Sequence, residues 1–348
     1  MFLRYNKNPI ITPKMVKPSH EGLNVLGAFN PGATKYKNEI LLLLRIAETC
    51  NKKQNFVSVP YFNFIENNAK FEVLDIPENS KELELKDTRG ILYKGVDYLT
   101  SVSHLRLARS NDGFNFAVDE KPFILPHNQT ASFGVEDARI SKIGDIYYIN
   151  YTIVSGDGYS TFLSSTKDFK NVKQHGIIFP PLNKDVVIFE EKVNNKYIAL
   201  HRPSNHGFGL PSIWYAESED LIHWGNHICL LRPNKSVWES QKIGAGAPPI
   251  KTNKGWLEIY HSKGKNNIYS LNLMLLDLKN PSKIIALSKT PVMIPETEYE
   301  KNGFFGNVIF TNGHIVKENG DINLYYGSSD ENVCVAEISI DKLLKSLK

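Results

Sequence analysis

Cysteine is scarce in this chain: three residues in 348, at positions 50, 229 and 334. Odd in number and far apart, they supply neither a disulfide framework nor paired zinc ligands, and read as reduced, mostly buried thiols. Long apolar runs are missing too. The strongest, Ile40-Leu-Leu-Leu-Leu44, has a strand's length and falls far short of the roughly 18 residues of a membrane-spanning helix. The start, Met1-Phe-Leu-Arg-Tyr-Asn, reaches Asn8-Pro9 without the apolar centre of a signal peptide, so the expected location is the cytoplasm, with no membrane partner. Basic blocks are absent: the net charge is +4 and the Lys and Arg residues are dispersed without interleaved aromatics, which argues against nucleic acid as a partner. The histidines lack ligand spacing, so no metal is expected. There is no Gly-X-Ser-X-Gly elbow, P-loop or dinucleotide fingerprint, which leaves no bound cofactor to expect. Helix signals are confined to residues 339–348, with Asp341 near the start and lysines near the end.

Strand signals fill the rest. Ile40-Leu-Leu-Leu-Leu44, Ile146-Tyr-Tyr-Ile-Asn-Tyr-Thr-Ile153, Tyr197-Ile-Ala-Leu200, Trp256-Leu-Glu-Ile-Tyr260 and Ile322-Asn-Leu-Tyr-Tyr326 are short, rich in β-branched or aromatic residues, and bounded by turn residues. Lys142-Ile-Gly-Asp-Ile, Asn194-Asn-Lys-Tyr and Lys251-Thr-Asn-Lys-Gly read as hairpin turns. A weak repeat is superimposed. Leu107-Ala-Arg-Ser-Asn-Asp-Gly-Phe-Asn-Phe116, Leu163-Ser-Ser-Thr-Lys-Asp-Phe-Lys-Asn-Val172 and Tyr215-Ala-Glu-Ser-Glu-Asp-Leu-Ile-His-Trp224 each run from a strand through a polar turn to an apolar plug, and Leu275-Leu-Asp277 continues the rhythm. Spacing of roughly 50–60 residues, filled by about four short strands, is the size of a propeller blade and gives about five or six blades. A two-sheet sandwich is the competing architecture. No linker divides the chain, so residues 1–348 are expected to form one domain.

In such a fold, strand ends and loops from every blade line one funnel, and polar residues distant in sequence meet there. Asp137, in Phe133-Gly-Val-Glu-Asp-Ala-Arg-Ile140, is the strongest candidate. A carboxylate at the end of an apolar strand costs free energy unless it is paired or used. The competing view is a structural ion-pair knot with Arg139. Lys184, Arg202 and Lys251 stand at the ends of other strands; singly each reads as a solvated cation, together as a pocket for an anion. Arg45, closing four leucines, reads equally as a snorkelling side chain, and Asn30-Pro-Gly-Ala33 reads as a turn.

Taken in order, Phe29-Asn-Pro-Gly-Ala33, Leu41-Leu-Leu-Leu-Arg45, Gly134-Val-Glu-Asp-Ala-Arg-Ile140, Asn183-Lys-Asp185, Leu200-His-Arg-Pro203, Gly244-Ala-Gly-Ala-Pro-Pro-Ile-Lys251, Gly255-Trp256, Tyr260-His261 and Tyr325-Tyr-Gly-Ser-Ser-Asp330 resemble glycoside hydrolase family 130, the mannoside phosphorylases and related mannosidases. The stretches around residues 22–45 and 98–109 look most like the branch acting on β-1,2-linked mannooligosaccharides. The resemblance implies an all-β, five-bladed β-propeller with a short C-terminal helix, and inverting phosphorolysis of a β-mannoside to α-mannose 1-phosphate. It makes Asp137 the general acid, acting through the mannose 3-hydroxyl. It gives Lys184, Arg202, Lys251 and, as an assistant, His261 to phosphate, and Asn30, Arg45 and Asp330 to mannose, with Tyr326 and His206 as neighbours. Partners would be a mannooligosaccharide and inorganic phosphate as co-substrate; a homo-oligomer is left open.

The residues present fit that chemistry. An inverting hydrolase needs an acid and a base, whereas a phosphorylase needs one acid and cations to position its own nucleophile. One departure keeps a hydrolase in view: the family reads Phe-Pro-Glu-Lys where this chain has Phe189-Glu-Glu-Lys192, so Glu190 or Glu191 is the alternative's base. A third reading is a non-catalytic propeller binding glycans through Trp214, Trp238 or Trp256.

Overall fold

The computed structural model describes residues 2–65, 68–204 and 207–347. Strands dominate, and the only α-helices among these residues are Glu298–Lys301 and Ile340–Ser346, so the architecture is all-β. The second of these is the helix expected near the C-terminus: Ser339 caps it by accepting from the Lys342 amide, Asp341 lies in the first turn and Lys345 in the last. Lys348, the last residue of that expectation, lies outside the described residues. No helix is long and apolar enough to cross a membrane. All three cysteines are unpaired, with Cys50 and Cys334 buried.

The strands form antiparallel meanders. Leu23–Tyr36, Glu39–Cys50 and Val102–Ser110 make one, with Ala117–Val118 on its edge; Gly134–Ile143, Ile146–Ser155, Gly158–Thr166 and Lys173–Phe179 make the next. A parallel contact of Gly134 with Ser103 joins the two into one sheet. Separate sheets follow: Asn183–Ile188, Tyr197–Pro203, Ile213–Ser218 and Trp224–Leu231; then Lys242–Gly244, Trp256–Lys263, Tyr269–Leu276 and Ile284–Leu287. The last holds Ile309–Val316, Asp321–Ser328 and Asn332–Ser339, and takes Leu3–Arg4 from the other end of the chain as its fourth strand. Between Cys50 and Val102 an insertion builds two small sheets, Phe56–Ile65 with Asn68–Pro77, and Leu83–Asp87 with Gly90–Tyr93 and Val96–Leu99.

Local chemistry explains this pattern. Leu41 and Leu43 pack with Leu105, Leu107 and Ile149, whereas Leu42 and Leu44 pack with Tyr325 and Val335. Both faces of the Glu39–Cys50 strand are therefore buried, which is why it reads as a continuous apolar run rather than an alternating one. The repeated aspartates all make the same turn. Asp112, Asp168, Asp220 and Asp277 each accept the backbone amides two and three residues on, at 2.8–2.9 Å. In the first three, a Ser or Thr two residues earlier accepts the following amide as well. The hairpin at Asn194 and Asn195 has both residues at positive φ, as a primed two-residue turn requires.

Candidate active site

Three meanders present the same device within their first strand. Each strand breaks register by a bulge, between Phe29 and Gly32, Glu136 and Arg139, and Lys184 and Val187. In each bulge one polar residue sits at positive φ: Asn30 at 47°, Asp137 at 50°, Asp185 at 53°. A bulge adds an unpaired residue and re-aims it out of the sheet, and Asn and Asp tolerate this backbone better than other non-glycine residues. The three side chains line one recess, of about 90 Å³, with Arg45, Lys184, Arg202, Lys242, His261 and Asp330. An alternating strand pattern carries no sign of such an insertion.

On one side of the recess lies the acid. The Asp137 carboxylate is buried and accepts from Asn30 Nδ2 at 3.0 Å and Arg45 Nη1 at 3.4 Å. Burial alone would raise its pKa, but Arg45, Lys184, Arg139 and the Asn30 amide together hold it below the ordinary aspartate value. Arg45 does not snorkel: it also bonds Glu136 Oε1 at 2.8 Å and Ser103 Oγ at 3.1 Å, over the Phe29 ring. Asp330 shares this neighbourhood, 4.0 Å from Arg89. Burial, with Asp137 and Glu136 adding repulsion, pushes its carboxyl up to about 6 against the pull of Arg45 and Arg89.

Across the recess the charge is positive. Arg202 Nη1 contacts Asp185 Oδ2 at 2.5 Å, and His261 Nε2 lies 3.2 Å from the same oxygen. Asp185 Oδ1 accepts from Arg139 at 3.3 Å. These cations outweigh burial and hold the Asp185 carboxyl well below its usual range. Burial pushes the His261 imidazolium down to about 4, with Arg202 and Arg139 adding to it against the attraction of Asp185, so the ring is neutral near pH 7. Lys184 lies 3.7 Å from Glu136. Lys242 completes the group: its amine lies 5.1 Å from the centre of the Tyr269 ring. Burial first, then repulsion from Arg202 and Lys184, hold its pKa well below that of an ordinary lysine.

Sequence reasoning missed Asp185 and Lys242. It quoted Asp185 only as part of a motif, although its place beside Lys184 repeats that of Asp137 beside Glu136. For the third cation it chose Lys251, and here the structure corrects it. Lys251 pairs with Trp256 while Gly244 pairs with His261 on the same strand. Five residues separate Trp256 from His261, about 16 Å at ~3.3 Å per residue. Lys251 therefore lies toward the opposite end of its sheet, exposed and paired with Glu191. Lys242, before the Gly/Pro run rather than after it, is on the His261 end, opposite Lys263.

The alternative bases fall away for the same reason. Glu190 accepts the Lys142 amide at 2.8 Å and lines a different cavity, with His314 and Pro248; Glu191 is taken by Lys251. None of the three tryptophans lines the recess. Trp256 is a core residue packed on Phe189, Trp214 borders a cavity with Phe208 and Leu210, and Trp238 borders one with Phe2 and Arg4. Tyr326 is buried and donates to Glu300 at 2.8 Å, away from the recess; His206 lies outside the described residues. Arg139 does not make the ion pair within its own segment that competed with a functional reading; its carboxylate partner is Asp185. It donates to the Asp137 carbonyl at 2.9 Å and to those of Ala245 and Gly246 at 3.2 Å each, fixing the acid's backbone against the next sheets. Among the described residues, no cluster of three or more His, Cys, Asp and Glu side chains is arranged to hold a metal.

The family described as glycoside hydrolase 130, β-1,4-mannooligosaccharide phosphorylase, matches residues 88–348. A β-1,2-mannobiose phosphorylase of Listeria innocua serovar 6a is 43% identical over 99% of this chain and 98% of its own. A 1,2-β-oligomannan phosphorylase of a Thermoanaerobacter species is 40% identical over 71% of this chain and 84% of its own. The solved structure of a Listeria innocua β-1,2-mannobiose phosphorylase with β-1,2-mannobiose superposes with a TM-score of 0.95 at 43% identity, covering 99% of each chain.

Proposed function

The chain belongs to glycoside hydrolase family 130, and on that basis we propose that it catalyses inverting phosphorolysis of β-1,2-linked mannooligosaccharides, releasing α-mannose 1-phosphate. The observation that carries this reading is the asymmetry of the recess. One side offers Asp137 as the acid, with Asp330 held by Arg89; the other offers Lys184, Arg202 and Lys242, offset by Asp185 and, at Lys184, by Glu136. Asp185 is bound to three partners and cannot serve as a base, and Glu190 and Glu191 point elsewhere. The nucleophile is then an anion supplied by the solvent.

In this mechanism a phosphate oxygen, held by Lys184, Arg202 and Lys242 beside the neutral His261, attacks the anomeric carbon of the terminal mannose. The bond to the glycosidic oxygen breaks, and that oxygen takes a proton from Asp137 relayed by the mannose 3-hydroxyl. Asn30, Arg45 and Asp330 orient the sugar. Positioning and electrostatic stabilisation of the oxocarbenium-like state supply the rate. Asp137 is ionised in the free protein because cations surround it; phosphate offsets Lys184 and the cations beyond it, so the carboxyl regains its proton as the complex assembles.

We further propose that the meanders are the five blades of one closed propeller, with the Leu3–Arg4 strand completing the last blade. Inorganic phosphate is co-substrate and no other cofactor is needed. A cytoplasmic location follows from the product, since a charged sugar phosphate is retained inside a membrane. The test is incubation with β-1,2-mannobiose with and without phosphate. Turnover that depends on phosphate, and is lost in Asp137→Asn, is expected; equal turnover without phosphate favours a hydrolase and removes the proposal.

A further inference from the structure

The sheet that carries His261 holds a larger version of the irregularity that aims Asn30, Asp137 and Asp185. Gly244 pairs with His261 and Ile250 with Leu257, so the five residues 245–249 stand opposite only three, 258–260. The run arches out of the ladder, and its backbone groups find other partners. The carbonyls of Ala245 and Gly246 accept from Arg139 at 3.2 Å each. The Gly246 amide donates to Glu258 Oε1 at 2.8 Å. The packing is close enough to require glycine. A Cβ on Gly246 would lie 2.1 Å from the Ile259 carbonyl oxygen, and one on Gly244 would lie 2.5 Å from Asp185 Oδ2.

Glu258 stands behind this run. It is fully buried and does not line the recess, but a chain of hydrogen bonds joins it to the acid. Glu258 accepts the Gly246 amide, the Gly246 carbonyl accepts from Arg139, and Arg139 donates to the Asp137 carbonyl at 2.9 Å. The same guanidinium donates to Asp185, the carboxylate that holds Arg202. A carboxyl is an unexpected occupant here. Trp256 and Tyr260, which flank it on its own face of the strand, belong to an apolar cluster with its cross-strand partner Met274. Its Oε2 has no hydrogen-bond partner among the described residues. Burial pushes the carboxyl up to about 8, against the Gly246 amide and the attraction of Arg139, so it is protonated at neutral pH. Arg139 is the charged group that reaches it. Asp185 lies beyond Arg139, and Tyr260 gives its hydroxyl to Glu239. Asn272, Met274 and Leu276 on the neighbouring strand, and Thr311, which approaches Gly246 from the last sheet, do not titrate.

We propose that Glu258 is a positioning residue of the reaction: from behind the recess it holds the arched run that seats Arg139, and through Arg139 it sets the backbone of Asp137 and the carboxylate of Asp185 in place. The protonated form does this. An ionised Glu258 draws the Arg139 guanidinium away from Asp185 and from the Asp137 carbonyl, and so loosens both sides of the recess together. The proposal rests on the reading of Asp137 as the acid of phosphorolysis.

The test is kcat for phosphorolysis of β-1,2-mannobiose at saturating phosphate, measured from about pH 6 to about pH 9.5, with thermal melts to confirm folding. Glu258→Met leaves the Gly246 amide without an acceptor. In the folded variant kcat at neutral pH falls about ten- to a hundredfold, the cost of misplacing a catalytic group by up to ~1 Å. Glu258→Gln keeps the acceptor and restores kcat to within about threefold of wild type. Above pH about 8 the Gln variant overtakes: the ratio of its kcat to that of wild type rises about fivefold or more as the wild-type carboxyl ionises. Titrations that the two proteins share, those of Asp137 and Lys242 among them, cancel in this ratio. A Met variant that folds and keeps kcat within about twofold of wild type, or a Gln-to-wild-type ratio that is constant across the pH range, overturns the assignment. If Glu258→Met does not fold, the ratio decides alone. Wild-type protein with no phosphate-dependent turnover overturns the phosphorolysis reading itself, and is distinguished from failure of Glu258 because no variant is needed to see it.

Discussion

Replacing Lys242 by methionine separates the binding of phosphate from the stability of the fold. Methionine keeps an unbranched apolar stem against Tyr269 and removes only the charge. The amine faces the recess beside Arg202 and Lys184 and forms no ion pair among the described residues. A charge-assisted hydrogen bond to phosphate contributes ~1.5–3 kcal/mol. At ~1.4 kcal/mol per tenfold, the KM for phosphate should rise about ten- to a hundredfold. Stability should move the other way. Burial and two neighbouring cations lower the Lys242 pKa in the folded state, so the fold disfavours the charged amine. The variant should melt at a temperature equal to or above that of wild type at neutral pH. That advantage is present below the lowered pKa and disappears as pH approaches ~10.4, where an unfolded-chain lysine also loses its proton. Initial rates of α-mannose 1-phosphate formation against phosphate, with thermal melts without ligand, measure both. A phosphate KM within about twofold of wild type together with a lower melting temperature would make Lys242 a structural residue and refute the reasoning.

Other substitutions probe the remaining assignments. Lys251→Ala should leave the phosphate KM within about twofold of wild type, because an exposed ion pair with Glu191 contributes at most ~1 kcal/mol to stability and touches no substrate; a tenfold rise in the same rate assay would return Lys251 to the site. Arg139→Met should lower stability by roughly 3–5 kcal/mol by denaturant unfolding, because it removes one of three partners of the buried Asp185 carboxylate and the donor to the carbonyls of Asp137, Ala245 and Gly246; a loss below ~1 kcal/mol would show that these bonds are not structural. Asp330→Asn should melt above wild type at pH 8. Its carboxyl is raised to about 6 in the fold, so wild type carries an unfavourable charge above that pH and sheds it as pH falls toward ~4. The difference in melting temperature should shrink over that window, and a difference that grows on acidification contradicts the assignment.

Much of the site was legible because strand ends are legible. Asp137, Lys184, Arg202 and Arg45 each close or open an apolar run, and all four line the recess. The repeated turn aspartates were equally visible, since Asp and Ser make their turns with their own side chains and need no distant partner. What stayed hidden depends on direction and register. A hairpin reads the same from either end, so the Gly/Pro run at residues 244–249 pointed to a site without saying whether Lys242 or Lys251 faced it. The bulge that aims Asp185 inward is one residue of irregularity at positive φ, which an Asp in a strand does not announce. Arg89 stayed hidden because the insertion between Cys50 and Val102 lies outside the repeated turn, and its strands pair only with one another.

The central claim is that phosphate, not water, attacks the mannoside, from the cationic side opposite Asp137. Nuclear magnetic resonance of the first products from β-1,2-mannobiose in phosphate buffer tests it most directly. The account predicts one α-mannose 1-phosphate for each mannose released, with no β-anomer of the phosphate and no reaction when phosphate is withheld. Two free mannose molecules for each disaccharide, at a rate indifferent to phosphate, would contradict it.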